Sequence, residues 1–320
     1  MFGIFGSGFG LYGYLPAVLQ TFAKPVLLPE RYRETVNNRS DISRYLPQIE
    51  WRASEAAILQ EATGLVIAQR PEDQAKKIEA CLQYPGISRL ILEKPLASTP
   101  DEAKTILKVL EKSKKIFRIG YVFRFTPWAK TVKKWILNHQ GQGSINFDWQ
   151  FMAHHYASGK YNWKRTVPAG GGALRFYGIH LIGLLAEWGY DRVVSSQIIT
   201  SMDDEAPLWR AEFSGKSLPA CIININSQAS RTCFIVTTHN GCTNMPLVDL
   251  SDPFEISDIP SDGQLEDRRL LVLKALCEDL REETSNPLDW YWKAIEIWEK
   301  SEEQAKISSL RVNSIDGVPL

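Results

Sequence analysis

The chain has 320 residues, which is enough for two domains, and hydrophobic residues make up 44% of it, which is enough for packed cores. Its 37 Lys and Arg residues balance 37 Asp and Glu residues. A formal net charge of zero argues against non-specific binding to nucleic acid or to an anionic membrane. No apolar run approaches the length of about 20 residues that spans a bilayer.

The thiols and the first residues indicate the compartment. The chain opens inside a predicted strand, so we expect no signal peptide. No two cysteines have CxxC spacing, so we expect reduced thiols in a cytoplasmic protein and neither a zinc site nor a disulfide framework. The cysteines are Cys81, Cys221, Cys233, Cys242 and Cys277.

A glycine-rich turn follows the first predicted strand, over 2–5, and precedes a predicted helix over 11–22. Glycines let backbone N–H groups approach a pyrophosphate at a helix N-terminus. The strict GxGxxG spacing would place its third glycine at Leu11, which Gly10 and Gly13 flank instead. The position between strand and helix favours a dinucleotide turn over an ordinary one. The turn consists of Gly6, Ser7, Gly8, Phe9 and Gly10.

Charged residues follow the second predicted strand, over 25–28. Glu30 lies 22 positions after Gly8, where an acid would bind the adenosine ribose hydroxyls. Arg31 and Arg33 lie beside it, and an arginine there can instead accept a 2′-phosphate. These charges could equally form a solvated loop. The sequence therefore does not choose between NAD and NADP.

Strands and helices then alternate, which predicts a parallel, doubly wound sheet. Gln69 and Pro71 follow the strand over 64–68, and Glu93-Lys94-Pro95 follows the apolar run Leu90-Ile91-Leu92. Open α/β sheets bind ligands at the carboxyl ends of their strands, so the triplet predicts a lysine beside a nucleotide. The alternative is a surface lysine after a strand. The other predicted elements here are strands over 88–92 and 116–122 and helices over 72–83 and 101–114.

Four motifs in order resemble the Gfo/Idh/MocA family, the glucose-fructose oxidoreductase and inositol dehydrogenase group. The resemblance covers nearly the whole chain. It implies a dinucleotide-binding Rossmann domain over 1–122 and a substrate-binding and oligomerisation domain over 123–320. The motifs are the glycine turn with Leu15-Pro16-Ala17, the triplet with Leu96-Ala97, the segment 121–127, and Gly170-Gly171-Gly172-Ala173-Leu174 followed by Gly178-Ile179-His180.

The resemblance implies that the second domain is α/β with a large, mostly antiparallel open sheet. A hydrophobic open face would be an aggregation liability, so we expect a homodimer or homotetramer. The sequence fits, with strands predicted over 144–153, 193–202, 208–213, 220–227 and 233–238, and helices over 269–281 and 288–308.

The family transfers a hydride between nicotinamide and a carbon that bears a hydroxyl or keto oxygen. The resemblance makes Lys94 a hydrogen-bond donor to that oxygen and gives the Lys94–Pro95 peptide a cis form. It makes His180 the proton acceptor or donor, which suits an unperturbed pKa near 6.5. His180 could otherwise be a core histidine. The expected cofactor-binding residues are the glycine turn with Glu30, Arg31, Gln69, Pro71, Glu93 and Lys94.

One position departs from the family, which usually carries an aspartate four residues before this histidine. Phe176 stands there, and an aromatic ring suits a flatter substrate or the apolar face of a sugar. Tyr177, Arg124 and Lys164 are further candidates for substrate binding, although Arg124 could brace the domain junction and Lys164 could belong to a solvated loop.

The leading hypothesis is an NAD(P)-dependent oxidoreductase of a sugar or sugar derivative, such as a nucleotide sugar. The alternatives are a reductase of a non-sugar C=N or C=C bond and a catalytically silent cofactor-binding protein. We expect no metal, because His154 and His155 are neighbours on a predicted strand and so point to opposite faces.

Overall fold

The computed structural model describes residues 1–159, 162–201, 204–241, 243–255 and 267–309. The chain divides into two compact units, Met1–Lys133 with Pro253–Ile295 and Lys134–Asp252 with Glu296–Leu320. Contacts thus assign Pro253–Ile295 to the first unit, whereas a single domain boundary, after residue 122, was predicted from the sequence. Met202 and Cys242, which were expected in a strand and as a free thiol, lie outside the described residues.

The described chain contains helices and strands in the following order. The strands are β1 (Phe2–Phe5), β2 (Val26–Pro29), β3 (Ile49–Arg52), β4 (Gly64–Ile67), β5 (Arg89–Leu92), β6 (Ile116–Ile119), β7 (Ser144–Met152), β8 (Arg192–Thr200), β9 (Leu208–Ser214), β10 (Ala220–Asn226), β11 (Gln228–Asn240), β12 (Thr243–Leu250) and β13 (Ala305–Ser309). The helices are α1 (Leu15–Phe22), α2 (Arg33–Asn37), α3 (Ser40–Ser43), α4 (Glu55–Glu61), α5 (Pro71–Leu82), α6 (Pro100–Lys112), α7 (Pro127–His139), α8 (His154–Ala157), α9 (Ile179–Trp188), α10 (Leu270–Glu282) and α11 (Leu288–Glu303).

Six of the described strands form a parallel sheet in the order β3-β2-β1-β4-β5-β6. This is the doubly wound order of dinucleotide-binding folds, so the predicted fold of the first domain is confirmed. β1, β2 and β4 are buried along their whole length, as strands covered on both faces must be. Strand β3 was not predicted, because Glu50 and Arg52 give this edge strand a charged sequence. Helix α4 was not predicted either.

The C-terminal stretch completes the open edge of this sheet. The N–H of Phe117 in β6 donates to Oδ1 of Asn286 at 2.8 Å, and the N–H of Ile119 donates to the hydroxyl of Tyr291 at 3.0 Å. An edge strand otherwise leaves such groups to pair with another chain. Helix α10 also packs against α1 through buried leucines. These contacts explain why residues after 253 belong to the first unit.

The second unit contains a sheet of seven described strands in the order β12-β11-β7-β10-β9-β8-β13. Its pairings are antiparallel except for β7 with β10 and β8 with β13, which confirms the expected mostly antiparallel sheet. Phe147, Trp149 and Trp209 lie on its buried face.

The other face of this sheet carries a polar network. Arg210 donates to Asn224 at 2.6 Å, and Asn224 donates to Asn146 at 2.9 Å. Arg231 donates to Asp148 at 2.7 Å on the same face. Side chains one strand apart therefore satisfy one another across the ladder.

Two edge strands of this sheet differ from the prediction. The helix expected over 288–308 ends at Glu303, and Ala305–Ser309 instead pairs with β8 as β13. Strand β12 was missed because it contains Pro246, a residue that strands tolerate at sheet edges. None of the helices in the described ranges is long and apolar enough to cross a membrane.

Candidate active site

The glycine turn after β1 contains two glycines with different roles. Gly6 has φ of +136°, and its N–H donates to the hydroxyl of Tyr32 at 3.1 Å. A Cβ on Gly6 would lie 2.2 Å from the carbonyl oxygen of Ala68, so only glycine lets β1 and β4 end this close together. A Cβ on Gly8 would meet nothing within 4 Å, and both Ser7 and Gly8 are exposed. The turn therefore offers open backbone to a ligand.

The helix after the turn begins as a wide, π-type turn over Gly10–Tyr14 and continues as α1. Leu11, at the position of the third motif glycine, is fully buried. A Cβ on Gly13 would lie 2.3 Å from the ring of Phe9, so the displaced glycine makes room for that ring. The guanidinium of Arg269 lies over the ring of Phe9, 4.3 Å from its centre. Phe9 thus packs within the unit rather than reaching outward.

Two ion pairs lie at the carboxyl end of β2. Glu30 accepts from Nε and Nη2 of Arg33, at 2.5 and 3.0 Å, and the hydrogen bond from Arg33 lowers the pKa of Glu30. Arg31 pairs instead with Glu55, which also pairs with Lys77. Glu30 is thus an exposed anion at the tip of the strand, and each flanking arginine has an acidic partner.

Gln69 follows β4, and Pro71 is the first residue of α5. Within the described part of the chain, Oε1 of Gln69 is buried and accepts no hydrogen bond. A buried polar atom without a partner points to a missing ligand or water. The open backbone at Gly8, the anion at Glu30 and this amide oxygen together fit a dinucleotide.

The Lys94–Pro95 peptide is cis, as expected. The fully buried side chain of Gln74 holds the loop around it. Its Nε2 lies 2.7 Å from the carbonyl oxygen of Glu93 and 3.2 Å from that of Leu96, and its Oε1 accepts from the N–H of Glu93 at 3.0 Å. The backbone that bears Lys94 therefore has a fixed course after β5.

Glu93 accepts a hydrogen bond of 2.5 Å from the hydroxyl of Tyr14. Burial raises the pKa of Glu93, and the nearby Lys94 and Tyr14 partly oppose that rise. Burial also raises the pKa of Tyr14, and the Glu93 carboxylate raises it further. Burial therefore disfavours the charged form of both groups, and the Tyr14 hydroxyl is the donor of the hydrogen bond between them.

In the second unit, the glycines before α9 allow close backbone packing. A Cβ on Gly171 would lie 2.3 Å from the carbonyl oxygen of Trp163 and 2.6 Å from that of Lys164. A Cβ on Gly178 would lie 2.5 Å from the ring of Trp209. The glycine motif thus brings the turn over 163–165 against the segment Ala173–Gly178.

This packing assembles an aromatic cluster, defined here as His155, Trp163, Phe176 and Tyr177. The ring of Phe176 lies 5.6 Å from Trp163 and 4.8 Å from Tyr177, and Nζ of Lys164 lies 5.0 Å above its face. Tyr177 also packs edge-on against Phe151, at 4.7 Å, and burial raises its pKa. Phe176 and Lys164 therefore lie together, while Tyr177 contributes mainly packing.

His180 lies in the first turn of α9, four residues after Phe176, and is 7% exposed. His155 was not predicted as a site residue. It is also buried, and its Nε2 has no hydrogen-bond partner among the described residues. Burial lowers the pKa of His155 to about 4, and Lys164, Arg165 and His154 lower it too. The assignment of His154 and His155 to a strand was wrong, because they begin the short helix α8. The alternation of side chains that predicted a strand over 144–153 ends with β7, at Met152.

Arg124 lies within the first unit beside α10 and α11. Its Nη1 is 3.5 Å from Oδ1 of Asp279, and its guanidinium lies 5.6 Å from the ring centre of Trp290. Asp279 also pairs with Arg118, which is almost fully buried. These contacts brace the C-terminal helices, and a role for Arg124 in substrate binding stays a prediction.

No protein-family model matches the chain. A curated Bacillus subtilis protein that is named as an oxidoreductase, YteT, is 25% identical over 126 residues, which are 39% of this chain. The match covers 29% of YteT, so the chain corresponds to less than a third of that relative's length.

Solved structures match over nearly the whole chain. KijD10, a 3-ketoreductase from Actinomadura kijaniata in complex with NADP and TDP-benzene, has a TM-score of 0.67 at 13% identity, over 97% of this chain and 99% of its own. The WlbA dehydrogenase from Bordetella pertussis, in complex with NADH and UDP-GlcNAcA, has a TM-score of 0.68 at 15% identity, over 94% and 95%. GenD2 from gentamicin A biosynthesis, in complex with NAD, has a TM-score of 0.70 at 13% identity, over 95% and 93%. The fold expected from the sequence is confirmed, because the chain shares the fold of these three solved proteins over nearly its whole length.

Proposed function

We propose that the protein is an NAD(P)-dependent oxidoreductase that transfers a hydride between nicotinamide and a carbonyl or hydroxyl carbon of a nucleotide sugar. One observation carries this proposal. Lys94 follows β5 and is joined to Pro95 by a cis peptide bond. Its neighbour Glu93 accepts a hydrogen bond from Tyr14, at the end of the wide turn that follows the glycine turn. The turn that would bind the cofactor and the backbone that bears Lys94 thus belong to one unit.

The dinucleotide would be held by this chain's backbone and side chains at three points. The exposed backbone at Ser7 and Gly8 would bind the pyrophosphate, Glu30 would accept hydrogen bonds from the adenosine ribose, and Gln69 would offer its buried amide oxygen. When bound, the nicotinamide supplies or accepts the hydride.

Lys94 donates a hydrogen bond to the substrate oxygen and stabilises the negative charge that develops there. We assign the accompanying proton transfer to His180, because an imidazole can gain or lose a proton near neutral pH. Neither role requires a metal ion.

The aromatic cluster supports a nucleotide sugar as the substrate. Lys164 over the face of Phe176 places a cation beside an apolar surface, which suits a phosphate next to a flat ring or an apolar sugar face. KijD10 and WlbA, which share the fold, were crystallised with TDP and UDP compounds. This agreement supports the substrate class rather than a particular sugar.

We also propose that the protein acts in the cytoplasm as a homodimer or homotetramer. Three exposed apolar side chains on strands of the second sheet support self-association, because contact between subunits would bury them: Met152, Val194 and Ile307. Sedimentation at several protein concentrations measures the subunit number.

The test of the function begins with binding of NADH and NADPH to the purified protein, measured by nicotinamide fluorescence. Turnover is then measured with TDP- and UDP-linked keto sugars. Lys94→Ala should keep cofactor binding and lower kcat/KM about 100- to 1,000-fold, as removal of a charge-stabilising donor does. Lys108 is an exposed lysine on α6, and Lys108→Ala is the matched control, which should have the kcat/KM of the wild type. Absence of nicotinamide binding refutes the proposal.

The second candidate is a reductase of a non-sugar C=N or C=C bond, which the aromatic surface at Phe176 favours. Turnover of imines or enones, without turnover of any keto sugar, would support this second candidate. Tight cofactor binding without turnover of either class would instead indicate a catalytically silent cofactor-binding protein.

A further inference from the structure

We infer that Tyr14 is a positioning residue for Lys94, acting through the carboxylate of Glu93. The inference rests on the proposed function, because it takes Lys94 as the group that contacts the substrate. It adds a residue of the cofactor-binding helix to the machinery of the catalytic loop.

The contact between Tyr14 and Glu93 joins two elements that are distant in sequence. Tyr14 ends the wide turn after the glycine turn, and Glu93 is the first residue after β5. The tyrosine is completely buried, and its hydroxyl donates a 2.5 Å hydrogen bond to Oε1 of Glu93. A hydrogen bond to a charged oxygen is short and strong, and a buried hydroxyl needs such a partner.

Gly120 shows that the space around this pair is shaped for its two oxygens. Its N–H donates to the carbonyl oxygen of Leu92 at 2.8 Å, which places it directly beside the start of the catalytic loop. A Cβ on Gly120 would lie 3.0 Å from both the Tyr14 hydroxyl and Oε1 of Glu93. A larger residue would therefore crowd both oxygens.

Gln74 and Tyr14 bind different parts of this loop. Gln74 binds the backbone N–H and carbonyl of Glu93 and so fixes the course of the main chain. It leaves the carboxylate free to rotate, and Tyr14 removes that freedom. The carboxylate that Tyr14 holds interacts electrostatically with the neighbouring Lys94. A carboxylate held in one place attracts the neighbouring ammonium and so favours the positions of the ammonium that lie close to it.

The same contact connects the cofactor turn to the lysine. The ring of Phe9, inside the glycine turn, packs edge-on against Tyr14 at 5.2 Å. The glycine turn and the loop that bears Lys94 are therefore joined by packed and hydrogen-bonded side chains through Tyr14.

The pH dependence separates this role from a purely structural one. The groups that act on Glu93 are Lys94, Tyr14 and Arg269, all of which lower its pKa against the effect of burial. If the ionised carboxylate is needed, activity falls as pH drops through the pKa of Glu93. Tyr14→Phe removes a donor to the ionised form, so that pKa rises and the acid limb of kcat moves to higher pH.

The experiment compares the wild type, Tyr14→Phe and Tyr190→Phe in kcat, KM and cofactor affinity across pH. Tyr190 is the matched control, since its hydroxyl is also buried and donates to the carbonyl oxygen of Pro219 at 2.9 Å in the second unit. We expect Tyr14→Phe to lower kcat about 10- to 100-fold, as loss of an orienting partner does, with little change in cofactor affinity. Tyr190→Phe should leave kcat and the acid limb unchanged.

An unchanged kcat and acid limb in Tyr14→Phe overturn the inference, as does a loss that Tyr190→Phe reproduces. Glu93→Gln is the second variant, since its amide oxygen still accepts from Tyr14 but carries no charge. Adding Tyr14→Phe to Glu93→Gln should leave the pH profile of kcat unchanged, and a further shift of the acid limb in the double variant contradicts the inference. A wild-type protein that binds no nicotinamide refutes the proposed function itself and is seen before any variant is made.

Discussion

The carbonyl oxygen of Ala68 occupies the place that a side chain on Gly6 would need. A Cβ there would lie 2.2 Å from that oxygen, and the φ of Gly6, +136°, is one that residues with side chains rarely adopt. Gly6→Ala must therefore separate the ends of β1 and β4. We expect it to lower the free energy of unfolding by roughly 2 kcal/mol or more, measured by chemical denaturation.

Gly8→Ala is the matched variant within the same turn, because a Cβ on Gly8 meets nothing within 4 Å. We expect its free energy of unfolding to change by less than about 0.5 kcal/mol. Its affinity for NADH or NADPH should nevertheless fall, because the methyl group stands where the pyrophosphate approaches the backbone. Unchanged cofactor affinity in a stably folded Gly8→Ala protein would contradict the assignment of this turn to the cofactor.

Glu30→Gln tests the end of the site that distinguishes NAD from NADP. The carboxylate of Glu30 would repel a 2′-phosphate, and it neutralises Arg33. The variant removes the negative charge and frees the arginine. The ratio of Kd for NADPH to Kd for NADH should therefore decrease, as measured by fluorescence titration. Glu34→Gln removes an acid from the adjoining helix α2, is the control, and should leave the ratio unchanged.

Asp279→Asn tests the contacts that attach α10 to the first sheet. Asp279 pairs with Arg118, whose side chain is 2% exposed, and lies 3.5 Å from Arg124. Removing one partner of a buried pair leaves an uncompensated charge and costs about 3–5 kcal/mol. Asp191→Asn, at an exposed pair with Arg192, should change the free energy of unfolding by less than about 1 kcal/mol. Equal effects of the two substitutions would show that the Arg118 pair adds no stability.

The first sheet was predictable because its strands are short apolar runs that end in glycine, proline or charge. Strand β3 was not predicted, because an edge strand buries few side chains and Glu50 and Arg52 interrupt its apolar pattern. The glycine turn and Lys94 could be found from local motifs. The link between Tyr14 and Glu93 could not, because nothing in either segment indicates a partner 79 positions away. His155 was missed for a similar reason, since its burial depends on the folding of 163–177 around it.

His155 should make stability depend on acid. Its pKa is lowered from 6.5 to about 4 in the folded protein, so the unfolded chain binds the proton first. The stabilisation from neutral His155 is fully present above pH 6.5 and is lost as pH falls toward 4, a change of roughly 3 kcal/mol. His155→Phe keeps an aromatic ring and removes the titration. The difference in unfolding free energy between wild type and variant should shrink or reverse over this pH range, and a constant difference would contradict the burial of a neutral imidazole.

Phe176→Leu tests whether the aromatic cluster binds substrate. The leucine keeps an apolar side chain but removes the ring that lies beneath Lys164 and against Trp163. An aromatic contact is worth about 0.5–1.5 kcal/mol, so KM for a TDP- or UDP-linked sugar should rise roughly 2- to 12-fold, while the Kd of the cofactor stays the same. Phe151→Leu is the control, because Phe151 packs on Tyr177 and Trp149 within the same group of rings. If both variants raise KM equally, the ring of Phe176 acts through packing, and if neither does, the sugar binds elsewhere.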